Sequence, residues 1–222
     1  MTVYTHSREP LPSVSWRILF GQAPIALSIL AACDTSDAAA LYGISPCMDR
    51  LIEATFRRDD LFVHGCRHGN IKLVHRMIAM DANVWNEGLQ GACEGGHRDL
   101  TDLMIAKDAT EWNLGLQGAC YGGRRELAEL MIAKGAYNWD WGLHGACYGG
   151  HPDLTELMIT KGANDWNYGL QGACKGGQRE LAEFMIVKGA NDWNWGLYGA
   201  CSGGHRDLIA LMIAKGATAC GT

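Results

Sequence analysis

Residues 88–114 read GLQGACEGGHRDLTDLMIAKDATEWNL, and residues 169–195 read GLQGACKGGQRELAEFMIVKGANDWNW. From Leu61 to the C-terminus the chain divides into six such blocks of 27 residues, opening at Leu61, Gly88, Gly115, Gly142, Gly169 and Gly196. Self-similarity at a fixed period is the signature of a repeat array. Each block predicts two short helices. Asn86, Asn113, Asp140, Asn167 and Asn194 stand where an N-cap to the first helix is expected, because their side chains can accept from the orphan amides of a first turn. Gly-Gly pairs at 95–96, 122–123, 149–150, 176–177 and 203–204 are expected to end that helix, since glycine accepts the left-handed conformation. The second helix is expected after His97, Arg124, His151, Gln178 and His205, with Pro152 at a first helical position in one block. Asp99, Glu126, Asp153, Glu180 and Asp207 fall in its first turn and Lys107, Lys134, Lys161, Lys188 and Lys215 in its last, matching both ends of the helix dipole.

The apolar spacing says how the blocks are used. Leu100, Leu103 and Met104, and their counterparts Leu127, Leu130 and Met131, lie at i, i+3, i+4 and form one stripe. One block cannot bury that stripe alone, whereas stacked blocks can. The methionine row (Met77, Met104, Met131, Met158, Met185, Met212) is read as core for the same reason. So is the cysteine row, Cys66, Cys93, Cys120, Cys147, Cys174 and Cys201. Neighbouring helix axes lie ~8–10 Å apart, beyond the ~7 Å that a disulfide tolerates. No CxxC pair is present, which argues against a zinc ribbon, and a row of free thiols favours a reducing compartment.

Composition bounds the rest. Hydrophobic residues make up 48% of 222, so a core can form. The net charge is −5, with acidic and basic residues interleaved. No basic stripe is present, so nucleic acid is not expected as a partner. The run from Ile18 to Cys33 is broken by Gln22 and Pro24 and is too short for a confident membrane span.

The block resembles the ankyrin repeat. The resemblance rests on Ala92-Cys93, Gly96-His97, Leu100, Leu103-Met104-Ile105 and Gly162-Ala163-Asn164, and spans 162 of the 222 residues. The chain departs from that family in two ways. Trp141-Gly142 or Tyr168-Gly169 stands where Thr-Pro opens the first helix, and the block is about six residues short, which removes the hairpin finger between repeats. Short blocks rich in Gly and Trp resemble those encoded by large DNA viruses. The resemblance implies an all-α solenoid of six helix pairs over 61–222, no active site, no cofactor or metal, and a protein partner held by the concave face of the first helices. It also implies an intracellular place, in the cytoplasm or nucleus, of a host cell if the source is viral.

Comparison among the blocks points to the same face. Core positions barely change, but the position after Gly-Leu runs Gln90, Gln117, His144, Gln171, Tyr198, and the position after Cys runs Glu94, Tyr121, Tyr148, Lys175, Ser202. The two positions lie four apart, on one side of a helix. Varied polar and aromatic side chains on a regular scaffold suit recognition; a solvated face that drifts freely would look similar. Trp85, Trp112, Trp139, Trp166 and Trp193 repeat strictly and are read as structural. Trp141, Tyr168 and Trp195, two residues further on, vary more (Glu87 and Leu114 fill the place elsewhere) and join the candidate surface.

Residues 1–60 do not repeat. Helices are expected ending near Cys33-Asp34, over Ala38–Leu41, and from Ser45-Pro46 to Arg57-Arg58. Three readings stay open. The segment can cap block one, where Arg76 replaces the usual Leu or Phe. Pro24, Ile29-Leu30, Asp34, Asp37, Leu41, Ile44, Met48 and Leu51 resemble an F-box, which implies docking to a ubiquitin-ligase adaptor through residues 24–53. Leu30-Ala31-Ala32-Cys33 resembles a lipobox, which implies an exported, lipid-anchored protein. Leu208, Leu211 and Met212 in the last block lack an evident cap, so a structural or virion component that self-associates through that end is the alternative function. The Cys-His pairs Cys66/His68 and Cys93/His97 are the only catalytic candidates, and their recurrence marks them as architecture rather than a site.

Overall fold

The computed structural model describes residues 34–218, apart from 36, 39–41 and 44–45. All regular structure among these residues is helical. Helix α1 (Pro46–Thr55) leads into six pairs: α2 (Arg58–His68) with α3 (Ile71–Ala79), α4 (Trp85–Gly95) with α5 (Arg98–Ala106), α6 (Trp112–Tyr121) with α7 (Arg125–Lys134), α8 (Trp139–Gly149) with α9 (Pro152–Lys161), α10 (Trp166–Gly176) with α11 (Arg179–Lys188), and α12 (Trp193–Gly203) with α13 (Arg206–Lys215). The pairs recur every 27 residues, but each opens three residues before the block limits drawn from sequence, at Arg58, Trp85 and their equivalents.

Each pair packs on itself and on its neighbours through its first helix. Successive first helices lie against each other, and each lies against its own second helix; successive second helices touch far less. Closer spacing on one side bends the stack, so the first helices form its concave layer. Glycine permits that spacing. A Cβ on Gly118 would lie 2.4 Å from the Gln90 carbonyl oxygen, and one on Gly122 would lie 2.0 Å from that of Glu94. The same clash recurs at Gly145, Gly149, Gly172, Gly176, Gly199 and Gly203. Backbone therefore meets backbone along the whole inner layer. The methionine row fills the room above a second set of glycines: Met131 Sδ stands 2.5 Å from where a Gly115 Cβ would be. Met77, Met104, Met131, Met158, Met185 and Met212 are fully buried, as are the leucines facing them.

Three local expectations are corrected. The residues Asn86, Asn113, Asp140, Asn167 and Asn194 are not N-caps, because each sits inside the first turn, after the tryptophan. Their side-chain oxygens instead accept from the linker to the next pair. Asn86 Oδ1 takes the amides of Thr110 and Glu111 at 2.9 and 3.1 Å, and Asp140 Oδ1 those of Asn164 and Asp165 at 2.8 and 2.9 Å. The true caps are Asn138, Asp165 and Asp192, which accept from the amide three residues on; Val84 and Glu111 occupy that place without a side-chain cap. Secondly, the cysteine row is not uniform. Cys66 to Cys174 are free and buried, but Cys201 is disulfide-bonded, so the free row stops one repeat short of the end. Thirdly, Leu208 and Met212 are buried within the last pair, Ile209 and Leu211 are partly buried, and Ile213 is exposed.

At the other end, Tyr42, Leu51 and Ile52 join the same core as Leu73 and Met77. Arg76 Nε and Nη2 donate to Glu53 at 2.9 and 3.2 Å, and Asn70 Nδ2 donates to the Tyr42 carbonyl at 3.0 Å. Helix α1 ends at Thr55, two residues short of the expected Arg57-Arg58. Residues 24–33, including the lipobox cysteine Cys33 and the start of the F-box resemblance, lie outside the described residues. No helix among the described residues is long and apolar enough to cross a membrane.

Candidate functional site

The concave layer exposes one face of each first helix. On it three positions line up, at i, i+3 and i+7: Trp141, His144 and Tyr148 in one pair, Tyr168, Gln171 and Lys175 in the next. Because the helices are close and parallel, each position forms a row down the stack, and residues 27 apart touch.

The row after the cysteine begins with an ion pair. Arg67 Nε lies 3.0 Å from Glu94 Oε1. Burial raises the Glu94 carboxyl above its ordinary range, and Arg67 opposes that shift. Tyr121 and Tyr148 follow, stacked with ring centroids 4.6 Å apart; burial also raises the Tyr121 phenol. The Lys175 ammonium sits 5.2 Å from the Tyr148 ring centroid, within cation–π range. Ser202 closes the row at the exposed end. In the row after Gly-Leu, Gln90 Nε2 reaches Gln117 Oε1 at 3.5 Å, and His144 Nε2 lies 2.7 Å from Gln171 Oε1. His144 also stacks on Tyr168 at 4.2 Å, and Tyr168 on Trp195 at 5.4 Å. Gln171 is nearly covered, whereas Tyr198 is 60% exposed and Trp141 38%. The aromatic rings thus form a connected strip crossing the face obliquely: Tyr121, Tyr148, His144 (6.3 Å from Tyr148), Tyr168 and Trp195.

Along the first row runs an open groove of about 600 Å³, lined by Arg67, Glu94, Tyr121, Tyr148 and Lys175, by the glycines beside them, and by Gln178 and His205. Arg67, Gln178 and His205 were not among the residues expected from sequence. The signal existed in the register. Arg67 holds the position of Glu94 one block earlier, and Gln178 and His205 belong to the row that precedes each second helix. That row points back across the junction: His97 Nε2 lies 3.0 Å from the Arg67 carbonyl, and His151 Nε2 lies 3.1 Å from that of Tyr121.

The strict tryptophan row is structural. Trp85, Trp112, Trp139, Trp166 and Trp193 are half-buried against the core. Each from Trp112 onward has its Cδ1 edge about 4 Å from where a Cβ would sit on the glycine that ends the second helix of its pair, as with Trp112 and Gly135 at 4.0 Å. The Lys107 and Lys215 ammoniums lie 5.9 Å over Trp85 and Trp193.

Reactive chemistry has little to start from. Burial pushes the Cys66, Cys120, Cys147 and Cys174 thiols up to about 12, and that of Cys93 to about 11. A thiol so held is neutral and a poor nucleophile. His97 is spent on the Arg67 carbonyl rather than on Cys93, whose sulfur instead faces Thr101 Oγ1 at 3.8 Å. No group of three or more His, Cys, Asp or Glu side chains suited to a metal occurs among the described residues.

No protein-family model matches the chain, and no curated protein matches it. Among solved structures it is similar to the human ASB11 ankyrin repeat domain, at 21% identity over 71% of this chain and 84% of that one, with a TM-score of 0.42. A likeness of that degree carries nothing about partners or activity. The helix-pair architecture rests on this chain's own geometry.

Proposed function

We propose that the chain is a non-catalytic binding module that grips a protein partner with the concave face of its first helices. The observation that supports this most is the division of labour between rows. Residues in the core between helices repeat almost without change, while the rows on the outward side of the first helices change from pair to pair and still lie side by side. Gln90, Glu94, Gln117, Tyr121, Trp141, His144, Tyr148, Tyr168, Gln171, Lys175, Trp195, Tyr198 and Ser202 make up that surface. Interfaces favour such a mix of large aromatic groups and adaptable polar ones.

The N-terminal region is read here as a cap. Tyr42, Leu51 and Ile52 are buried in the repeat core, and Glu53 holds Arg76. Side chains committed inward in this way are not available to an adaptor, so capping is favoured over docking of residues 24–53 to a ubiquitin ligase. Affinity capture from the native cell tests both statements. A variant with alanine at Gln117, Tyr121, His144 and Tyr148, checked for an unchanged helical signal, should lose the captured partner. Capture that survives in this variant contradicts the concave-face reading. Ligase adaptor captured by the intact chain but not by one lacking residues 1–33 would reinstate the docking role.

A further inference from the structure

We propose that the groove takes an extended peptide segment bearing a carboxylate side chain beside an apolar one, the carboxylate meeting Lys175 and the apolar group lying on the Tyr121–Tyr148 pair. This rests on the concave-face reading above and adds the chemistry of what is bound.

Charge carries the argument. Among the described residues lining the groove, Glu94 is the one carboxylate, and Arg67 at 3.0 Å already neutralises it. Lys175 has no carboxylate within 4.0 Å among the described residues; what its ammonium faces is the Tyr148 ring. His205 lines the same stretch. In a chain of net charge −5, the groove runs against the overall sign. Complementarity therefore selects an acidic group at that end. Beside it, the edges of the stacked Tyr121 and Tyr148 rings form a half-buried wall of the groove, against which an aliphatic or aromatic side chain can pack. The groove follows successive helix ends for several repeats, so its long axis fits an extended backbone better than a helix. A polyanion such as single-stranded RNA could also stack on tyrosines. It would need several cations to displace its counterions, and the groove offers one that is unpaired.

The test pans a displayed library of random peptides on the full chain, then measures selected peptides by fluorescence polarisation against variants. Selected peptides should carry Asp or Glu next to an apolar residue. Lys175→Met should weaken them about three- to tenfold, with a reduced dependence on salt, as loss of a partly screened charge pair does. Lys175→Glu should select Lys or Arg instead. Peptides without acidic residues, indifferent to Lys175→Met but lost with Tyr148→Ala, would overturn this inference while leaving the concave-face reading intact. Peptides indifferent to both variants would overturn both. Failure to enrich any peptide overturns the extended-segment proposal and points to a folded surface as partner. Homopolymeric single-stranded RNA bound as tightly as the best peptide, and lost with the same variants, would overturn the choice of a peptide.

Discussion

The Asn113 side-chain oxygen accepts from the backbone amides of Tyr137 and Asn138, each at 2.9 Å, and so ties one repeat to the linker that opens the next. Asn138 then caps that next helix by accepting from the Trp141 amide at 3.1 Å. The relay recurs through Asp140 and Asp165 and through Asn167 and Asp192, and fixes the approach of each of these pairs to the next.

Removing the relay should cost stability at one junction. Asn113→Ala leaves two linker amides to solvent, and a loss of about 1 kcal/mol is expected for partly exposed bonds. Asn113→Asp should cost much less, since Asp140 fills the equivalent place in the next repeat. Urea unfolding of both variants checks this, and an unchanged Asn113→Ala would show that the linker is held by other means.

Filling the inner layer should cost more than straining a turn. Gly118→Ala places a methyl 2.4 Å from a carbonyl oxygen, so two helices must part, and a loss of about 1–3 kcal/mol is expected. Gly204→Ala meets nothing within 4 Å and bears only the strain of its φ of 76°, worth about 1–2 kcal/mol. Thermal unfolding should rank Gly118→Ala as the more damaging, with its effect spread to both neighbouring pairs in hydrogen exchange. The reverse order would contradict backbone-to-backbone packing of the first helices.

His144 should make the fold sensitive to mild acid. Burial holds its imidazole below the ordinary value of 6.5, and Lys175 adds to that, while the bond to Gln171 opposes it. Below pH 6.5 the unfolded chain takes up a proton that the folded one refuses, so stability falls as the pH drops; above 6.5 this contribution is flat. His64, also lowered by burial, acts the same way. The difference between wild type and His144→Gln isolates the one residue: urea midpoints should converge as the pH falls from 7 toward 5. Parallel curves would show that His144 titrates alike in both states.

The five free thiols among the described residues should be silent in the folded chain. With values near 11 or 12 and side chains fully covered, Cys66, Cys93, Cys120, Cys147 and Cys174 should react with iodoacetamide at neutral pH only after unfolding. One of these five labelled fast in the native chain would reopen a catalytic or redox role.

The sequence made the period, the helix pairs and the buried leucine, methionine and cysteine rows legible, because burial demands the same side chain at the same offset in every copy. It misplaced the asparagine row. An Asn after Trp looks like a cap when only its own helix is considered, and its actual partners lie about 24 residues away across a junction. The candidate rows stand out by their variation, which needs no coordinates. What could not be read was who stacks on whom: the oblique strip from Tyr121 to Trp195 depends on the rise between helices, and Arg67 entered the groove because a degenerate first block keeps the backbone register while losing the sequence pattern.

The central claim is that the partner lies against the concave face, and site-specific photocrosslinking tests it most directly. A benzophenone amino acid replaces Tyr148 in the groove in one chain, and Glu129, on the exposed side of α7, in another. Irradiation in the native cell should give a partner adduct from position 148 and none from 129. An adduct from 129 with none from 148 would place recognition on the outer helices and contradict the account.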